Sequence, residues 1–156
     1  MATTHAPSLS LADVLSNGFC KGLDRNQLQS IVDIAETKHF EGGHTLIKMN
    51  DRSSDVLVVL SGGAKISSYH EIELAEVLPG TILGEIALVD EKPRSATVRT
   101  AGATTVAVIN CEKLKLVLKT DLDAAAKVYR NLARALAVKL RVTTMRLDAA
   151  ATSLEQ

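Results

Sequence analysis

The sequence predicts a mainly β domain flanked by helices, and three observations predict it. Between His44 and Asn110, short β-branched runs at 45–48, 55–60, 64–69, 73–77, 95–100 and 105–109 are separated by turn residues. Those breaks, Asn50-Asp51, Gly62-Gly63, Pro79-Gly80 and Ala101-Gly102, give the even spacing of a barrel or roll. On both sides of that region the apolar spacing changes to threes and fours. Finally, residues 122 to about 150 run without Gly or Pro, which predicts one long helix.

In chain order, residues 1–10, rich in Ala, Thr, Ser and Pro, are expected to be a flexible tail ahead of a single domain, 11–156. A first helix over 11–15 breaks at Asn17-Gly18. Asp24 and Gln27 then fit a capping box, and Leu28, Ile31, Val32, Ile34 and Ala35 continue at helical spacing, so 11–41 is assigned to N-terminal helices. The β region occupies 44–110. C-terminal helices occupy 112–150: a short one over 112–118, then the long one, for which Thr120 with Asp123 fits a cap. Asp121 and Asp123 suit the positive end of its dipole.

Bulk properties exclude several classes. Eighteen basic and eighteen acidic residues give no net charge, so no overall field draws the chain to nucleic acid. Aromatic residues make up 3% and tryptophan is absent, which leaves no stacking platform for single strands. Cys20 and Cys111 stand far apart, and His5, His39, His44 and His70 show no metal spacing, so a reduced chain without metal or cofactor is expected. Residues 1–10 lack a signal-peptide pattern and no run reaches membrane length. The expected localisation is cytoplasmic, with no membrane contact.

The densest chemistry lies at 84–98, Gly-Glu-Ile-Ala-Leu-Val-Asp-Glu-Lys-Pro-Arg-Ser-Ala-Thr-Val. Gly84 opens a short helical turn over Glu85, Ile86, Ala87 and Leu88, whose unpaired N–H groups favour an anion. Arg94 offers a planar fork suited to phosphate, and the Glu85 carboxylate can accept protons from sugar hydroxyls. A surface hairpin in which Glu85 and Arg94 merely pair is the plain alternative. The two halves together, G-E-x-A-L and P-R-S-A-T-V, resemble the phosphate-binding cassette of the cyclic nucleotide-binding domain family. The run 56–63 and Leu78-Pro79-Gly80 resemble it too. Leu83 departs from it, standing where relatives commonly carry phenylalanine.

That resemblance implies an eight-stranded β-roll of the jelly-roll type with a long C-terminal helix. It further implies that Arg94, the Ser95 hydroxyl and backbone N–H groups around Ala87 and Ala96 hold the phosphate. Glu85, helped by the Gly84 backbone, would hold the ribose 2′-hydroxyl. Ser95 leans towards cyclic AMP, with cyclic GMP second.

On the long helix, Tyr129, Leu132, Leu136, Leu140, Thr143 and Leu147 form one line, and Val128, Ala135, Val138, Val142 and Met145 another. Two apolar lines suit a helix that covers its own roll with one and a second copy with the other, so a homodimer is expected. Leu140-Arg141-Val142-Thr143-Thr144 is similar to a segment of the family's catabolite-activator branch, where a threonine and a serine bond the adenine amino group. Carried over, Thr143 reads the base within its subunit and Thr144 reads it across the dimer. The plain alternative is that each threonine bonds its own helix. The basic residues Lys127, Arg130, Arg134, Lys139, Arg141 and Arg146 are read as a solvated face.

After the long helix too little chain remains for a DNA-reading helix pair, so no direct DNA binding is expected. The expectation is a free-standing module, or a piece of a longer protein, that signals to a downstream protein. A non-binding dimerisation relative is the alternative. No nucleophile–base pair stands out, and an enzyme is not expected.

Overall fold

The six strands read from the sequence all form, and two more join them. The computed structural model describes residues 8–155. Two helices, α1 (Leu11–Asn17) and α2 (Arg25–Val32), precede the strands β1 (Ala35–Phe40), β2 (Thr45–Ile47), β3 (Val56–Ser61) and β4 (Ala64–Ser67). Then come β5 (Glu73–Val77), β6 (Ile82–Leu83), a 3-10 turn (Glu85–Leu88), β7 (Thr97–Thr100) and β8 (Thr104–Ile109). Helices α3 (Cys111–Thr120) and α4 (Leu122–Leu154) close the chain. The strands make two antiparallel four-stranded sheets, ordered β1-β8-β3-β6 and β2-β7-β4-β5.

The β3 run is apolar throughout because both its faces are buried. Val56, Val58 and Leu60 join a core with α1, α3 and α4, while Leu57 and Val59 point between the sheets with Ile47, Val77, Val98 and Val106. Cys20 and Cys111 are free thiols in the helical core, and burial pushes the Cys20 thiol up to about 12.

Three readings need correction. Residues 35–40, assigned to the N-terminal helices, are strand β1, paired with β8 from Ala35↔Ile109 to Phe40↔Thr104. Ala-Glu-Thr-Lys-His-Phe exposes its four central side chains, so it carries no alternation, and the long-range partner imposes the strand. The α4 cap is Asp121, not Thr120: Asp121 Oδ1 accepts from Ala124 N–H at 3.0 Å, while the Thr120 hydroxyl donates back to the Val117 carbonyl at 2.8 Å. The tail is tied down by its last residues, since Leu9 N–H donates to the Leu60 carbonyl at 2.9 Å and Ser10 caps α1. The rest of that tail, 1–7, lies outside the described residues.

The capping box of α2 forms as read, and Gln27 goes further. Its amide nitrogen donates to Asp121 Oδ2 at 3.2 Å and Asp123 Oδ2 at 2.9 Å, joining α2 to the start of α4. Asp121→Ala removes the cap and the Asp121 arm of this tie, leaving the Asp123 arm, so an expected loss of about 0.5–2 kcal/mol should appear in urea unfolding. An unchanged midpoint would rule out that double role.

Candidate functional site

The register of the sheets brings the two halves of the 84–98 motif together. Leu83 pairs with Leu57 and Ile82 with Val58, so Gly84 emerges beside Asp55 at the start of β3. Val98 pairs with Ile47 and Ile66 in the other sheet, so residues leading into β7 run beside the end of β2. The segment 50–55, which crosses from one sheet to the other, touches both halves. Asn50 N–H donates to the Arg94 carbonyl at 2.8 Å and Arg94 N–H donates to the Asp51 carbonyl at 2.9 Å. The Arg94 guanidinium then reaches past Gly84, and its Nη2 donates to the Asp55 carbonyl at 2.6 Å. Its Nε is buried and, among the described residues, has no hydrogen-bond partner.

Gly84 is at φ 80, a left-handed conformation that glycine adopts freely. A Cβ there would meet Arg94 Nη1 and stand 2.9 Å from the Asp55 carbonyl oxygen. The chain then enters the 3-10 turn, closed by Ala87 N–H donating to the Gly84 carbonyl at 3.1 Å. The Ala87 N–H, expected as a ligand donor, is therefore engaged within the turn.

Seven of the nine residues singled out from the sequence line one cavity of about 380 Å³: Gly84, Glu85, Ile86, Ala87, Arg94, Ser95 and Ala96. Ile47, Ile66 and Val98 make its apolar floor, and Lys139 reaches in from α4. The Glu85 side chain is 13% exposed, and its Oε1 lies 3.2 Å from Lys139 Nζ. Lys139, read as part of a solvated face, is instead the charge partner of this largely covered carboxylate. Nothing in its local sequence distinguishes it from the other basic residues of α4; the contact spans 54 positions and depends on where α4 crosses the cassette. The Asp55 carbonyl was equally hidden, being a backbone group.

Thr143 and Thr144 do not line the cavity. Both sit on the exposed part of α4, and the Thr144 hydroxyl donates to the Leu140 carbonyl at 2.9 Å, the ordinary bond of a helical threonine.

A model of the cyclic nucleotide-binding domain matches residues 37–121, more than half of the chain. The chain belongs to that family. Residues 37–121 hold seven of the eight strands entire, most of β1 and the whole cassette. Over 111 residues the chain is 32% identical to potassium channel KAT3 of Arabidopsis thaliana, covering 69% of this chain and 17% of the channel. Over 125 residues it is 30% identical to the cGMP-dependent protein kinase of Plasmodium berghei, covering 80% of this chain and 13% of the kinase. It thus spans less than a fifth of either relative. The regulatory domain of Toxoplasma gondii PKA, solved with cAMP, superposes with a TM-score of 0.66 at 28% identity, over 75% of this chain and 45% of that one. Among the described residues, no helix is long and apolar enough to cross a membrane.

Proposed function

We propose that this cyclic nucleotide-binding domain takes cyclic AMP in preference to cyclic GMP and passes ligand occupancy through α4, as a homodimer, to a downstream protein. The observation that carries the proposal is the unpaired Arg94 Nε, buried beside a cavity whose rim carries the Ser95 hydroxyl. A buried cationic donor without a partner is costly, and a phosphate oxygen at the cavity's edge is the kind of acceptor that relieves it. Arg94 thus supplies the fixed positive charge and Ser95 a hydroxyl. Glu85 is held against α4 through Oε1, which leaves Oε2 for a ribose 2′-hydroxyl. Ile47, Ile66 and Val98 offer the sugar an apolar floor. The domain acts by binding, and returns its ligand unchanged.

Ser95 and the Thr143-Thr144 pair favour cyclic AMP, although one relative is named for cyclic GMP and another was solved with cAMP. Calorimetry with cyclic AMP, cyclic GMP and 2′-deoxy cyclic AMP is the test. Cyclic AMP should bind tightest. The deoxy analogue should bind roughly 10- to 150-fold weaker, the worth of a hydrogen bond to a charged acceptor. Equal affinity for the deoxy analogue would remove Glu85 from its role. No heat with any of the three would leave the dimerisation relative as the better reading.

The dimer proposal rests on α4. Ala124, Val128 and Leu132 are buried against the domain, and every described residue beyond Leu136 is exposed. That stretch carries Leu140 at 68%, Met145 at 69% and Leu147 at 66% exposure. So much uncovered apolar helix suits a second copy, whose approach would carry Thr144 towards the opposite base. Leu140→Glu is the clean test, because Leu140 makes no part of the monomer's core. It should shift sedimentation to monomer and lose the tightening that cyclic AMP otherwise gives the dimer, by reciprocity between ligand and assembly. A wild-type monomer at all concentrations, with and without ligand, would end the cross-subunit reading.

A further inference from the structure

Beyond its tie to α2, helix α4 makes two further polar contacts with the domain. Some two and a half turns into the helix, the Asn131 side-chain amide donates to the Phe19 and Lys21 carbonyls at 2.9 and 2.8 Å. Two turns further on, Lys139 bridges to Glu85. Between these anchors the helix spans a second cavity, of about 320 Å³, which shares only the walls Ile82 and Glu85 with the cassette pocket. The turn after α1 passes hard against Ile82: a Cβ at Gly18 would stand 2.6 Å from Ile82 Cδ1.

The lining of this cavity is mixed, with Asn17 and Asn131 among its walls beside an apolar part. Phe19 and Leu132, both buried, form that part, and the small Ala135 side chain leaves it open towards α4. Its rim is basic. Lys21 and Arg134 both line it, and among the described residues neither takes part in an ion pair. Glu85, its one acidic wall, is already matched by Lys139. A hole of this size with an apolar floor and a few polar groups fits a small organic molecule. Two cationic residues among its walls, outside every ion pair of the described residues, select an anionic one.

The geometry points to a second binding site, beneath α4, for a small amphipathic carboxylate. An aromatic or branched monoacid lays its body on Phe19 and Leu132 and sets its carboxylate between Lys21 and Arg134. The site is distinct from the nucleotide pocket, having neither Arg94 nor Ser95 among its walls. Inorganic phosphate satisfies the cations but leaves the apolar floor uncovered, so it is the weaker ligand. Through Ile82 and Glu85, occupancy here bears directly on the sugar-binding side of the cassette.

Titration of the full chain by nuclear magnetic resonance, with phenylacetate as the probe and phenylacetamide and inorganic phosphate as controls, tests the proposal. Phenylacetate should bind saturably, and the neutral amide roughly tenfold or more weaker, since only the acid forms charge-assisted bonds. The double variant Lys21→Gln, Arg134→Gln should bring phenylacetate down to the level of the amide without changing the amide. Ala135→Phe, at an exposed helix position that tolerates bulk, should fill the cavity and abolish both, with the thermal melt confirming the fold. Absence of saturable phenylacetate binding overturns the proposal. So does equal binding of acid and amide, or indifference of the acid to both variants. The titration contains no nucleotide, so its outcome and that of the cyclic AMP calorimetry are read separately.

Discussion

Arg94→Ala should abolish most cyclic nucleotide affinity while leaving the fold intact. Its guanidinium is the cation that the cassette's backbone holds in place, and it is in position before any ligand arrives. The Asn50 and Asp51 backbone bonds fix its main chain, the Asp55 carbonyl holds Nη2, and Gly84 gives it passage. Removing one partner of a buried charge pair costs roughly 2–5 kcal/mol, about 30- to several thousand-fold in Kd. The fold survives because both backbone bonds to the 50–55 segment remain in the variant; the Asp55 carbonyl alone loses a donor. Arg94→Lys should restore only part of the affinity. A single ammonium cannot hold the Asp55 carbonyl and a phosphate with the planar reach of a guanidinium. Calorimetric titration of both variants against wild type decides the matter: affinity within a few-fold of wild type for Arg94→Ala would displace the phosphate from this position.

What the sequence made legible follows from where each signal is stored. The strands β2 to β5, β7 and β8 announced themselves because β-branched runs and the turn residues between them are local properties. The cassette was legible for the same reason: Gly84 through Ser95 supply a turn, an acceptor and a cation within a dozen positions. Strand β1 was not, because Ala35–Phe40 exposes its middle and owes its conformation to β8, some seventy positions away. Strand β6 has two residues, too few for any period to show. Lys139 and the Asp55 carbonyl escaped for a related reason: their roles arise from the crossing of elements distant in sequence, and no local pattern marks a lysine that will meet a carboxylate. Thr143 and Thr144 are the converse case. Their signal is clear in the sequence, yet a single chain leaves them exposed on α4, so the part proposed for them in reading a base requires movement of that helix or a second copy.

Gly84→Ala should damage binding as severely as loss of Arg94, and by a separable route. Two penalties meet at this position. The left-handed backbone conformation costs an alanine roughly 1–2 kcal/mol. The added methyl group must also displace the Arg94 guanidinium and press on the Asp55 carbonyl at 2.9 Å, and the latter, as backbone of β3's entry, has little room to yield. Gly43 separates the two effects, since it shares the conformation, at φ 77, but has nothing within 4 Å of a built Cβ. Gly43→Ala should therefore lower the melting temperature through strain alone and keep full nucleotide affinity. Gly84→Ala should show a similar or larger fall in melting temperature together with an affinity loss of about 30-fold or more, because the phosphate's partner has been moved. If both glycine variants lost stability alike and both bound cyclic AMP at full strength, the close passage of Arg94 beneath Gly84 would be incidental. If only Gly84→Ala loses the ligand, that glycine is there to let the arginine through.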